Sequence, residues 1–356
     1  MNILFYLLFC LMTSMFSYLD GSTPAIIVTH GALHKVSIPL WHRTEWLKPG
    51  NLFYDKLNKT AKELYPGSRD FISVCSQYIP NYESYLPKDI NGFDCYKDVV
   101  FPFYWDQPHL GVTLDERIRG GSHLAEFIIK LMLVGYEEFI VISHSYGGHV
   151  AKIASLLLDD IPNIPLSSNI YDKKLNSAKY NKFKEESLYK SEKEKILNLR
   201  SQYRDILDPV IKKKNGVIID VLHTLATPND SYICGDMNVI GTLYNHYSSG
   251  DLVDRIVGKL RLPKHELNSG KTVNLRIKIQ CKGWFFFGNP KHNEMHDVTI
   301  GRHILRIPDW FADRKVNSFD KFSYKHNGKI KYFRNYKKFP RYFKGSRIKK
   351  GKRIKL

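Results

Sequence analysis

The segment Ile142-Ser143-His144-Ser145-Tyr146-Gly147-Gly148 constrains the fold of this chain more than any other. It joins an apolar, β-branched run at 138–143 to small and apolar residues at helical spacing over 146–158. A strand that turns at once into a helix leaves no room for bulk two residues before and two after the turning residue. Ser143 and Gly147 meet that size requirement around Ser145. The strained turn lifts the central side chain clear of the backbone, where a serine oxygen can act as a nucleophile. The helix start also sets the backbone N–H of Tyr146 where it can bind an oxyanion. Alone, a Ser-x-Ser-x-Gly string is weak, because a serine N-cap followed by packing glycines writes the same letters.

The surrounding pattern repeats the strand-then-helix theme. Residues 25–29 are a short buried-strand run stopped by His30-Gly31, and 51–64 have helical spacing ended by Pro66-Gly67. Strand character returns at 98–105, 217–222, 239–247 and 272–280, with helices expected at 114–134, from 252 onward and at 298–305. This alternation predicts an α/β fold with a doubly wound, mostly parallel sheet. Residues 70–97 read as a surface insertion. Residues 166–215 are poor in aliphatics, and 182–207 read as a solvated helix of mixed charge. Lying after the elbow helix, they are expected to cap the active site and set access, with too polar a composition for an apolar interfacial lid.

With serine as nucleophile, an acid and then a histidine should follow in the chain. Tyr247-Ser248-Ser249-Gly250-Asp251 offers a strand end, a small-residue turn and a carboxylate; Asp254 competes from a turn further on. Lys291-His292-Asn293-Glu294-Met295-His296-Asp297 supplies two histidines. His292 is preferred, because His296 falls near a helix start, where the macrodipole disfavours an imidazolium. Ala32 or Leu33, after the first strand, should give the second oxyanion N–H. His30 is expected to hold that loop by a side-chain hydrogen bond, and His144 and His149 to pack around the elbow.

Together these pieces resemble a lipase-like α/β-hydrolase over residues 25–307. The matching residues are Val28-Thr29-His30-Gly31, Ser143-His144-Ser145-Tyr146-Gly147-Gly148, Thr224-Leu225-Ala226-Thr227-Pro228-Asn229, Ser249-Gly250-Asp251-Leu252-Val253 and His292 with Met295. Lipase-like members often follow the Thr-Pro pair with His and a small residue, where this chain has Asn229-Asp230. The resemblance implies a serine hydrolase in which Ser145 attacks a carbonyl, His292 (alternatively His296) carries the proton and Asp251 orients the imidazole. It implies an ester substrate, small or lipid, and no metal or organic cofactor. The cysteines lack zinc-site and Cys-x-x-Cys spacing.

Charge divides the chain. Residues 311–356 hold 17 Lys and Arg against two acids, while the preceding 310 residues hold 37 against 33. The domain reading is therefore an export signal or retained anchor at 1–22, a hydrolase domain at 23–310 and a basic, aromatic tail at 311–356 that adds no strand. The uncharged run 3–19 carries the export reading, and Cys75, Cys95, Cys234 and Cys281 suit an oxidising compartment with their pairing open. Cations interleaved with aromatics suit an anionic membrane surface, which the export signal favours over nucleic acid. The rival function is a catalytically inactive α/β-hydrolase scaffold that binds such a surface, or nucleic acid, through this tail.

Overall fold

The computed structural model describes residues 23–31, 45–47, 50–68, 99–105, 113–161, 182–228, 233–248, 251, 269, 271–280, 287–288, 292, 295, 298–312, 322–326, 330–334 and 352–353. Six parallel strands form the centre: β1 (Ala25–Thr29), β2 (Val100–Phe103), β3 (Phe139–His144), β4 (Ile219–Leu225), β5 (Ile240–Tyr247) and β6 (Thr272–Gln280), in the order β2-β1-β3-β4-β5-β6. The helices are α1 (Leu52–Leu64), α2 (Leu114–Leu133), α3 (Gly147–Leu158), α4 (Lys182–Gln202), α5 (Arg204–Lys213), α6 (Val298–His303) and α7 (Ile307–Ala312).

Strand side chains alternate between faces, so each strand feeds two cores. Ala25, Ile27, Val141, Leu222 and Leu243 pack with α2 and α3, including Phe127, Leu131, Val150 and Ile153. Ile26, Val28, Ile142, Leu225 and Leu275 pack on the other face with Phe53 and Leu57 of α1 and Ile300 of α6. Burial on both faces explains why the strands read as nearly continuous apolar runs. The helix starts are chemically set. Asn51 Oδ1 accepts the Phe53 N–H at 3.0 Å. Thr113 and Glu116 exchange bonds at the start of α2, Glu116 N–H to Thr113 Oγ1 at 3.3 Å and Thr113 N–H to Glu116 Oε2 at 3.1 Å. Gly135, at φ 97°, follows the end of α2 in the left-handed region that glycine tolerates.

The insertion after α3 departs from expectation. Its described part is two helices, of which α4 packs against α2 and α3. Tyr189, Lys193 and Ile196 are buried, so α4 is only partly solvated. Ser122 Oγ donates to Glu192 at 2.6 Å, and Lys193 Nζ donates to the carbonyls of Leu156 at 2.7 Å and Asp159 at 2.6 Å. Those carbonyls are in and just past the last turn of α3, where no helical N–H reaches. The twelve residues of α3 span about 18 Å at 1.5 Å per residue, so this end is far from Ser145. The described insertion helices thus form an outer layer that buttresses α2 and α3, while residues 162–181, the first part of the expected cap, lie outside the described residues. Complete burial of Ile196 contributes roughly 1.5–3 kcal/mol to that docking.

The basic C-terminal segment is the second departure. β9 (Ile330–Arg334) runs antiparallel to β6, β8 (Phe322–His326) antiparallel to β9, and β10 (Lys352–Arg353) parallel to β8. The short β7 (Phe287–Gly288) also pairs antiparallel with β6. The expectation that residues 311–356 add no strand is therefore corrected. The strand β6 would otherwise end the sheet with unpaired main-chain groups, and the aromatic and β-branched residues of this segment suit a strand. Asn327-Gly328 lies in sequence between β8 and β9, the composition that tight hairpins favour.

Among the described residues no helix is long and apolar enough to cross a membrane. The segment 1–22, the insertion 70–97, residues 166–181, and Cys10, Cys75, Cys95 and Cys281 lie outside the described residues; Cys234 is buried.

One ion network ties α4 to α2 and can be titrated. Glu126 accepts from Lys130 at 2.8 Å and from Lys195 at 2.9 Å. Burial pushes the Glu126 carboxyl up, but bonds from the two lysines outweigh it and bring its pKa from 4.5 to about 2. A folded value below the unfolded one means the stabilisation is complete above about pH 4.5 and is lost as pH falls toward 2. Glu126→Gln should lower stability at pH 7 by up to about 1 kcal/mol in urea unfolding, and the gap should narrow by pH 3. An unchanged gap at pH 3 would mean that the variant disturbs packing instead.

Candidate active site

The strand order reverses at β1, between β2 on one side and β3 on the other. In open parallel sheets, ligands bind in the crevice outside the carboxyl ends of strands flanking such a reversal. Here the sequence changes character at those ends. Thr29, Ser143, Thr224, Asn245 and Asn274 occupy one register row across β1, β3, β4, β5 and β6, and all are buried. Thr224 Oγ1 donates to Asn245 Oδ1 at 2.9 Å and Asn245 Nδ2 to Asn274 Oδ1 at 3.1 Å. Thr29, Ser143 and Thr224 are the last or second-last residues of β1, β3 and β4, so these apolar strands close on polar side chains, and the candidate site begins there.

Ser145 follows β3 at φ 52°, the left-handed region that a non-glycine residue enters only when its surroundings hold it there. Its N–H donates to the Leu225 carbonyl at 2.9 Å, which pins the turn to β4. Ser143 stands where a smaller residue is usual, and its hydroxyl is satisfied by the His223 carbonyl at 2.9 Å. A Cβ added at Gly31 would lie 2.6 Å from Ser145 Cβ and 3.2 Å from its Oγ, so the main chain after β1 runs directly against the serine. A Cβ at Gly147 would collide with the His30 carbonyl oxygen. Tyr146 stands at the N-cap of α3, where the Gly148 and His149 N–H groups bond back to the Ser145 and Tyr146 carbonyls, each at 3.0 Å.

The strand after β4 brings the acid. Asp251 is fully buried just beyond β5, and its Oδ2 lies 2.8 Å from His292 Nδ1. A carboxylate can only accept, so Nδ1 carries the proton and Nε2 of the neutral ring is left able to take one. Met295 is fully buried beside Ile300 and anchors the chain between His292 and α6. Ser145, Tyr146, Asp251 and His292 are thus described and lie in the segments that follow β3, β5 and β6; Ala32, Leu33, Asp254 and His296 lie outside the described residues.

The other histidines near the strands are committed elsewhere. His30 Nδ1–H donates to the Gly31 carbonyl at 2.6 Å and its Nε2 accepts the Trp105 N–H at 3.3 Å. Trp105 Nε1–H returns to the His30 carbonyl at 3.0 Å, and the two rings stack at 5.4 Å. His149 accepts from Arg117 Nη1 at 2.6 Å through Nδ1 and donates from Nε2 to the Pro228 carbonyl. Burial, with the Arg117 cation next in size, holds its pKa well below the usual imidazole range. His223 and His246 bond each other at 3.0 Å, and burial pushes His246 down to about 3.

Three contacts were not anticipated from the sequence. His144 Nε2–H donates to the His292 carbonyl at 3.1 Å, Trp105 braces His30, and the Arg117 guanidinium sits 4.8 Å from the Tyr146 ring centroid. Each joins residues far apart in the chain, so no local pattern could have signalled it.

Gly147→Ala should destabilise the protein by about 1–3 kcal/mol in urea unfolding, because neither the His30 carbonyl nor the helix start can yield cheaply. An unchanged midpoint would show slack between β1 and the elbow. Comparison with models of known protein families, with curated proteins and with solved structures finds no match, so the functional reading rests on this geometry and its chemistry.

Proposed function

We propose that the protein is a lipase-like α/β-hydrolase that cleaves carboxylic esters, acyl-lipids and thioesters included, through an acyl-enzyme on Ser145. The observation that carries this reading is the 2.8 Å bond between buried Asp251 and His292, found beyond the same sheet edge as a left-handed Ser145. In the reaction, Ser145 Oγ attacks the ester carbonyl while His292 Nε2 takes its proton. The developing oxyanion is held by the Tyr146 N–H and by an N–H of Ala32 or Leu33. The tetrahedral intermediate then collapses, the acyl–oxygen or acyl–sulfur bond breaks, and the leaving alcohol or thiol departs with the proton from His292. Water, deprotonated by the same Nε2, attacks the acyl-serine and releases the acid. Asp251 stays ionised throughout and stabilises the imidazolium.

A fluorophosphonate probe tests the nucleophile directly. Wild-type protein should be labelled on Ser145, and Ser145→Ala should neither label nor hydrolyse a short p-nitrophenyl ester while unfolding at the wild-type urea midpoint. Full labelling of the alanine variant would remove Ser145 from the mechanism. A folded wild type that neither labels nor turns over ester would favour the inactive scaffold.

The acid is tested by exchange to its amide. Asp251→Asn should lower kcat by about 10⁴, because the amide stabilises the wrong imidazole tautomer, while Asp254→Asn should leave kcat near wild type. The reverse result in steady-state ester hydrolysis would move the acid one turn along the chain.

A further inference from the structure

His144 is the last residue of β3 and the neighbour of the proposed nucleophile. Its ring lies 4.8 Å from the His292 ring, centroid to centroid, at 50°. Its Nε2 is 3.1 Å from the main-chain oxygen of His292. A carbonyl oxygen accepts only, so His144 must donate there whatever its other nitrogen does. The Trp46 ring also meets His144, at 5.8 Å edge to face, and Trp46 in turn packs on Phe53 of α1 at 5.2 Å. His144 is 6% exposed, so the contact is shielded from water.

We propose that His144 is a positioning residue that holds His292 against Asp251, by fixing the His292 carbonyl through its Nε2–H and bracing the imidazole face with its own ring. The inference rests on the serine-hydrolase reading and adds a residue to it. An imidazole tied only through Nδ1 to Asp251 can still swing about that bond. A second tie at the main chain of the same residue fixes where that side chain is hung, and the His144 ring, 4.8 Å away, limits its swing. The second tie comes from β3, the strand that also carries Ser145, so nucleophile and base are referenced to one rigid element. The residue type follows from two demands: a donor that reaches past the strand end, and a flat ring that packs against both Trp46 and His292.

The test compares wild-type protein with His144→Phe, which keeps a flat ring and loses the donor, and His144→Gln, whose Nε2 can reach a similar point and keeps the donor. Ester hydrolysis gives kcat and KM, and proton NMR follows the downfield signal of the Nδ1 proton between His292 and Asp251. Misplacement of a reacting group by about 1 Å costs on the order of 100-fold in rate. His144→Phe should therefore lose about 10- to 100-fold in kcat with KM within about twofold, and its Nδ1 signal should broaden or vanish. His144→Gln should restore the signal and most of kcat. Wild-type kcat and signal in His144→Phe would overturn the proposal, as would equal losses in both variants, which would mark a packing role. If His144→Phe does not fold, His144→Gln decides alone: a donor role requires that it keep the signal. If wild type fails to react with ester or probe, the serine-hydrolase reading falls, while the NMR comparison still decides whether His144 holds His292 on Asp251.

Discussion

A serine held at positive φ between β3 and α3 is the constraint on which the neighbouring structure depends. Such a conformation costs about 1–3 kcal/mol and persists only where the surroundings over-determine it. Here they do. The Ser145 N–H is bonded to Leu225 of β4, the main chain at Gly31 lies against the serine side chain, and the helix start presses Gly147 onto His30. The contacts at Gly31 and Gly147 depend on those residues having no Cβ. The elbow is therefore a joint among β1, β3, β4 and α3, and its smallness is imposed from three sides.

Burial sorts the histidines around this joint. An imidazole must be able to become a cation to serve as a base, and burial without an anion opposes that change. His149 is buried beside the Arg117 cation, and His223 and His246 are buried against each other; all three are held neutral. His30 is spent on the loop that carries Gly31. His292, by contrast, is bonded through a ring nitrogen to a buried carboxylate, that of Asp251 at 2.8 Å.

Local chemistry was legible in the chain, and long-range packing was not. The six parallel strands show as β-branched, apolar runs because both faces are buried, and the elbow shows because its geometry demands small residues at fixed spacing. The helix of α4 was legible but its docking face was not, because the buried set of Tyr189, Lys193 and Ile196 is sparse and includes a lysine. Strands β8 and β9 were hidden by their charge: Lys and Arg dominate the segment, and the Asn327-Gly328 signal lies within it. The tie from His144 to His292 spans 148 positions and is invisible to any periodicity.

The misread insertion also changes what α3 can do. Lys193 and Arg200 donate to the carbonyls of Leu156, Leu158 and Asp159 at the end of that helix. Burial pulls the Lys193 pKa down to about 8. What its amine meets there is the negative pole of α3, where cations are favoured. The opposite end of α3, at Tyr146 and Gly147, is its positive pole. An anion forming beside Ser145 would face that pole. The insertion thus fixes the far end of the helix that begins at the elbow.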